Sequence, residues 1–159
     1  MKEKIIIGLF IYLTISIFAC QESRSDRFKL EGVWVIYKYK PWKICAMDDS
    51  TATQWIGKKA FFNEHLFFEY SKIHNYKNDF KNDTICDYLD GQKREIVSAN
   101  EYFDEYFRTS PDYYEINQKE ILLIQTNCKG TPFAEIIKLS DNEIRIWWDG
   151  IMFFLKREK

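Results

Sequence analysis

Glu143-Ile144-Arg145-Ile146-Trp147-Trp148-Asp149-Gly150-Ile151-Met152-Phe153-Phe154-Leu155-Lys156-Arg157 is the stretch that decides the fold. Ile144, Ile146 and Trp148 alternate with Glu143, Arg145 and Trp147, the two-residue period of a strand with one apolar and one mixed face. Asp149-Gly150 follows at once. A type I′ turn needs positive φ at both central residues, which Asp tolerates and Gly adopts freely, so this dipeptide predicts a tight hairpin. Ile151 to Arg157 supplies its second arm. Upstream, residues 120–126 and 133–139 read as two more strands, and Asp141-Asn142 marks another turn. Four short strands joined in this way predict an antiparallel meander.

Nearer the N-terminus the same reading gives a first strand over residues 30–40, ended by Pro41, and strands over 58–62 and 66–70 with Asn63-Glu64 between them. A short strand is predicted over 84–88, and the polar stretch 75–83 reads as an exposed loop. Residues 48–55 suit one helical turn capped by an Asp or Ser. Ser98-Ala99-Asn100-Glu101 is a capping box that opens an amphipathic helix with the stripe Tyr102, Phe103, Tyr106 and Phe107; Pro111 lies past its end. Aromatic residues make up 18% of the chain while glycines number only six and prolines three, which favours packed strands over disorder. The expected fold is mainly β: an antiparallel up-and-down β-barrel with one short amphipathic helix, closed so that no sheet edge remains.

The first twenty residues carry a different message. Lys2 and Lys4 precede an uncharged stretch from Ile5 to Ala19, too short for a hydrocarbon core that needs about 20 residues but suited to a secretory signal. Ile17-Phe18-Ala19-Cys20 resembles the lipobox of bacterial lipoproteins, Phe18 standing where a small residue is usual. That resemblance implies cleavage before Cys20, acyl chains on its thiol and a lasting membrane anchor. The chain then divides into a signal peptide (1–19), a lipidated N-terminus and tether (20–28) and one domain (29–159). Gln21, in place of Asp, implies by the same resemblance the outer membrane of the cell envelope over the inner. Loss of Lys2, Glu3 and Lys4 with the signal takes the formal charge from −1 to −2, a balance with no electrostatic footprint for nucleic acid.

Gly32-Val33-Trp34 on the first strand resembles the Gly-x-Trp signature of the lipocalins and their calycin relatives. In that family the Trp closes one end of the barrel beneath a basic side chain from the last strand, which implies the pair Trp34 and Arg157, with Lys156 as the neighbouring choice. Residues 55–59 and 149–157 are also similar to small lipocalin-like bacterial lipoproteins, a family that supplies a fold but no assigned activity. Two features depart from a full lipocalin: the mature chain is short, and its helix falls mid-chain.

Beyond Cys20 the cysteines are Cys45, Cys86 and Cys128, enough for one disulfide in an oxidising compartment. Three pairings are open. Cys86–Cys128 is favoured because both lie near strand ends, which leaves Cys45 as a buried thiol. His65 and His74 stand too far apart for a ligand pair, and Asp48-Asp49 lacks the Gly-punctuated loop of a calcium site. No nucleophile elbow, phosphate loop or zinc motif occurs, so neither enzyme activity, metal nor cofactor is expected. Trp34, Tyr37, Trp55, Phe68, Trp148 and Phe154 either line a ligand cavity or fill the barrel. The resulting expectation is an envelope lipoprotein binding a small hydrophobic ligand. The alternative is a filled barrel that binds or inhibits another envelope protein through Arg145, Trp147 and the loop 75–83.

Overall fold

Among the described residues the chain forms nine strands: β1 (Gly32–Pro41), β2 (Lys59–Phe62), β3 (Leu66–Phe68), β4 (Thr84–Cys86), β5 (Lys93–Ser98), β6 (Glu120–Gln125), β7 (Glu135–Ser140), β8 (Glu143–Trp148) and β9 (Ile151–Arg157). The computed structural model describes residues 29–70, 73, 84–87 and 92–159. The signal peptide, Cys20, the rest of the tether up to residue 28, the loop 75–83 and His74 lie outside the described residues. Residues 31–159 form one compact unit, to which everything below refers. Helices α1 (Asp49–Gln54) and α2 (Ala99–Phe107) and a 3-10 turn (Pro111–Tyr114) interrupt the strands.

Local chemistry accounts for these boundaries. Asp149 and Gly150 both have positive φ, 49° and 85°, so the β8–β9 connection has the handedness of a type I′ turn and Trp148 pairs with Ile151. Asp48 caps α1 by accepting a hydrogen bond from the Thr51 amide at 2.7 Å, and Ser98 caps α2 through the Glu101 amide. Pro111 opens the 3-10 turn, where its missing N–H costs nothing.

The sheet order is β4-β3-β2-β1-β9-β8-β7-β6-β5, every neighbouring pair antiparallel. Flat strands stand about 4.8 Å apart, which would put β3 and β7 roughly 24 Å from each other. Yet the ring of Phe68 on β3 lies 5.2 Å from that of Phe133, just ahead of β7. Such contact requires the sheet to curl into a half-barrel around its inner face. That face carries Trp34, Ile36, Ala60, Phe62, Leu66, Phe68, Ile136, Ile144, Ile146, Phe153 and Leu155, all buried. Trp55, next to α1, lies against Phe153 with ring centroids 4.6 Å apart and fills the middle.

The curl stops short of the closed barrel expected from the sequence. No ladder joins β4 to β5 among the described residues, so hydrogen bonding leaves a seam between these two edges. A disulfide crosses it instead: Cys86 on β4 is bonded to Cys128 in the β6–β7 loop, with Cα atoms 5.5 Å apart. Thr126 and Thr131, both buried, hold that loop. The Thr126 hydroxyl donates to the Phe133 carbonyl (2.6 Å) and the Thr131 hydroxyl to the Cys128 carbonyl (2.7 Å).

A second correction concerns the other face. The sequence marks it as mixed, but α2 and the 3-10 turn cover it with Tyr102, Phe103, Phe107 and Tyr114, packed on Ile121, Leu123, Ile137, Met152 and Phe154. This explains why Ile151 to Leu155 are all buried: β9 is sandwiched, and a strand covered on both sides is apolar throughout. A bulge between Ile36 and Lys38 adds to this side by turning Tyr37 and Lys38 together toward Phe154.

Candidate functional site

The six aromatic residues singled out in the sequence do not line one cavity. Trp34, Trp55 and Phe68 are fully buried on the inner face, where Trp55 and Phe68 pack ring on ring with Tyr70. Tyr37 and Phe154 meet edge to face on the opposite side. Trp148 lines a separate groove. Trp34 and Arg157 are brought together: they are register partners in β1 and β9, and the guanidinium lies 4.5 Å from the indole. Arg157 also donates to the carbonyls of Asp141 (2.7 Å) and Glu31, so a cation–π contact contributing about 0.5–2 kcal/mol is held in place from both sides.

Of Arg145 and Trp147, both expected on an exposed binding face, Arg145 is buried and Trp147 is half-buried against the α2 side of the sheet. Arg145 is only 1% exposed; it donates to Glu143 Oε1 at 2.8 Å and stacks 4.0 Å from the Phe154 ring centroid. Tyr37 donates to the same Glu143 carboxylate. Burial, with that hydrogen bond second, raises the Tyr37 pKa. Lys38 pairs with Glu115 and holds its carboxyl below the usual range. These charges pair with one another over the bulge. Cys45, expected buried, is an exposed free thiol. His65 contacts Asp87 at the surface, and no group of three His, Cys, Asp or Glu able to hold a metal occurs among the described residues.

The groove arises from elements far apart in sequence. Its residues include Trp42, Tyr102, Tyr106, Phe107, Trp147 and Trp148, with Glu135 and Asp149 contributing carboxylates, and it encloses about 550 Å³. That lies within the ~300–1,000 Å³ usual for small-molecule sites.

Residues 42–47 wrap the β8–β9 turn and so carry Trp42 into place. The Trp42 amide donates to Gly150 O (2.9 Å), and the Ala46 and Met47 amides donate to Asp149 O (2.9 and 3.2 Å). Opposite, α2 presents Tyr102, Tyr106 and Phe107. The rings then run in one chain: Trp42 to Trp147 (6.5 Å), Trp147 to Phe107 (4.7 Å), Phe107 to Tyr102 (5.8 Å), Tyr102 to Tyr106 (5.0 Å).

Polar groups are few and placed. The Tyr102 hydroxyl donates to Glu135 Oε1, and burial together with that carboxylate pushes the phenol pKa well above its ordinary value, so it stays a neutral donor. The indole N–H of Trp42 is buried without a hydrogen-bond partner among the described residues. Tyr106 is 65% exposed despite its place on the aromatic stripe. An apolar wall with a small set of polar groups, one large ring left in solvent, is suited to holding a flat or apolar body while a polar end is read by a carboxylate.

Most of this site was missed in the sequence, where Tyr102, Tyr106 and Phe107 read as a core-facing stripe. One signal was there. Trp147 and Trp148 are adjacent on a strand, and two large rings on opposite faces imply that both faces are covered.

Comparison of the chain with protein-family descriptions, curated proteins and solved structures finds no match. No helix among the described residues is long and apolar enough to cross a membrane.

Proposed function

We propose that the protein is a cell-envelope lipoprotein, anchored through Cys20, whose lipocalin-like β domain binds a small ligand with an apolar or aromatic body. The observation that carries the binding reading is the open groove of connected rings between α2, the Trp42 segment and the β8–β9 turn. The lipobox at Ile17-Phe18-Ala19-Cys20 supports the anchor, and an outer-membrane position follows from Gln21 by the lipoprotein resemblance alone. The packing of Trp55, Phe68 and Phe133 against one another on the inner face supports the groove, in preference to the sheet interior, as the binding position. The interaction-module reading loses Arg145, which is buried, and its loop 75–83 is outside the described residues.

Two measurements test the two halves. Mass spectrometry of the mature N-terminus should find acyl chains on Cys20, and Cys20→Ala should release the protein from the membrane fraction; an unmodified, uncleaved N-terminus would refute the anchor. Calorimetric titration of the purified full chain with small water-soluble aromatic compounds should show saturable binding. Tyr106→Ala, which removes an exposed ring at little cost to stability, should weaken it about tenfold, as loss of ~1.4 kcal/mol of ring contact requires. Binding that ignores this substitution would place the ligand elsewhere.

A further inference from the structure

The groove has a chemical preference written into its walls. Among the described residues, its aromatic lining is three tryptophans, two tyrosines and a phenylalanine, its charged lining is Glu135 and Asp149, and no Lys, Arg or His contributes. Each ring offers a negative face, so aromatic and carboxylate groups attract charge of the same sign.

Glu135 is half-buried and fixed: the Tyr102 hydroxyl donates to its Oε1, orienting the carboxyl group without neutralising it. A neutral donor leaves the carboxylate's charge uncompensated, so a cation would add a Coulomb attraction that the hydrogen bond from Tyr102 does not supply. Tyr102 therefore positions the anion and leaves it the stronger partner still to gain. The ring chain from Trp42 through Trp147 and Phe107 to Tyr102 and Tyr106 ends beside this carboxylate. Asp149 adds a second carboxylate at the turn.

We propose that the groove takes an organic ammonium ion carried on an apolar or aromatic body, with the body against the rings and the ammonium group at Glu135. The assignment rests on the groove being the ligand site, and it adds the ligand's charge. Anionic amphiphiles, fatty acids among them, are disfavoured by the same walls. The excluded class includes ligands that an apolar barrel interior would accept.

Three compounds sharing one phenyl body separate charge from shape: 2-phenylethylammonium, neutral 2-phenylethanol and anionic 3-phenylpropanoate, each titrated calorimetrically into the purified full chain near pH 7. The expected order is cation over alcohol over anion, with about tenfold between the first two, the span a partly exposed cation–π contact plus a carboxylate can supply. Glu135→Gln keeps an acceptor for Tyr102 but removes the charge, and should shrink the cation's advantage to about twofold. Asp149→Asn tests the second carboxylate at a positive-φ position that Asn tolerates, and should lower the cation's affinity several-fold. Equal binding of all three compounds, or an advantage that survives Glu135→Gln, overturns the charge assignment and leaves the groove as the ligand site. Failure of every compound to bind overturns both.

Discussion

Gly150→Ala should lower the free energy of unfolding by roughly 2–4 kcal/mol, the combined cost of positive-φ strain and a forced backbone displacement. Gly150 sits at φ +85°, and a Cβ there would lie 2.3 Å from the Cys45 Cα and 2.8 Å from the Ile44 carbonyl oxygen. Those neighbours are backbone, so a rotamer change cannot relieve the clash. Segment 42–47 would have to lift away, and the Trp42 amide would lose its bond to the Gly150 carbonyl. Gly57 provides the control. Its φ is +82°, but a Cβ there would meet nothing within 4 Å, so Gly57→Ala should cost only the strain, about 1 kcal/mol. Chemical denaturation of both variants measures the difference. Equal costs at the two positions would mean that the Trp42 segment does not rest on the turn. Since that segment forms a wall of the groove, Gly150→Ala should also abolish ligand binding under conditions where the variant remains folded.

The second large effect concerns the seam. Opening the Cys86–Cys128 bond, by reduction or in Cys86→Ser with Cys128→Ser, should cost about 4 kcal/mol, the loop-closure entropy of a cross-link spanning 42 residues. That is a large share of the ~5–15 kcal/mol that keeps a domain folded. Here the bond does more than restrain the unfolded chain. It ties the β4 edge to the β6–β7 loop on the side where no ladder joins β4 to β5 among the described residues, so hydrogen exchange should rise most in β3, β4 and β5 once it is cut. A uniform rise across all nine strands would show instead that the link acts on the unfolded state alone. Among the described residues exposed Cys45 is the thiol available for mispairing during the experiment, and Cys45→Ser in the background removes it.

How far these features could be read beforehand depends on the range of the forces involved. The β8–β9 hairpin was legible because Asp149-Gly150 specifies its own turn and alternation specifies its register. Both helix caps were legible for the same reason: Asp48 and Ser98 act within three residues of themselves. β5 was not. Lys-Arg-Glu-Ile-Val-Ser has no apolar alternation because Lys93 to Ile96 are exposed, and its strand geometry comes from pairing with β6. Closure of the barrel was expected from strand number and alternation, yet alternation records which faces are buried and says nothing about whether the last two edges meet. Arg145 read as a surface cation because its charge is visible in sequence. The Phe154 ring and the Glu143 carboxylate that permit its burial come from pairing across the sheet. The groove was hidden for a related reason: its walls come from the segment after β1, from α2, from β7 and its preceding loop, and from β8 with its turn, so no local stretch contains it.

The order of the strands has a further consequence, for how the chain reaches this structure. Every ladder but one joins strands that follow one another in sequence; the exception pairs β1 with β9. The domain is thus two meanders, β1–β4 and β5–β9, each able to form from nearby segments. Joining them requires Trp34 to find Arg157, the most distant pairing in the sheet. Local hairpins form within microseconds, whereas closing so long a loop carries its entropic cost before any ladder contact repays it. Topology therefore places the β1–β9 ladder after the local hairpins in the order of assembly. Arg157 stacked on Trp34, at the far end of that ladder, clasps the two halves once they have met.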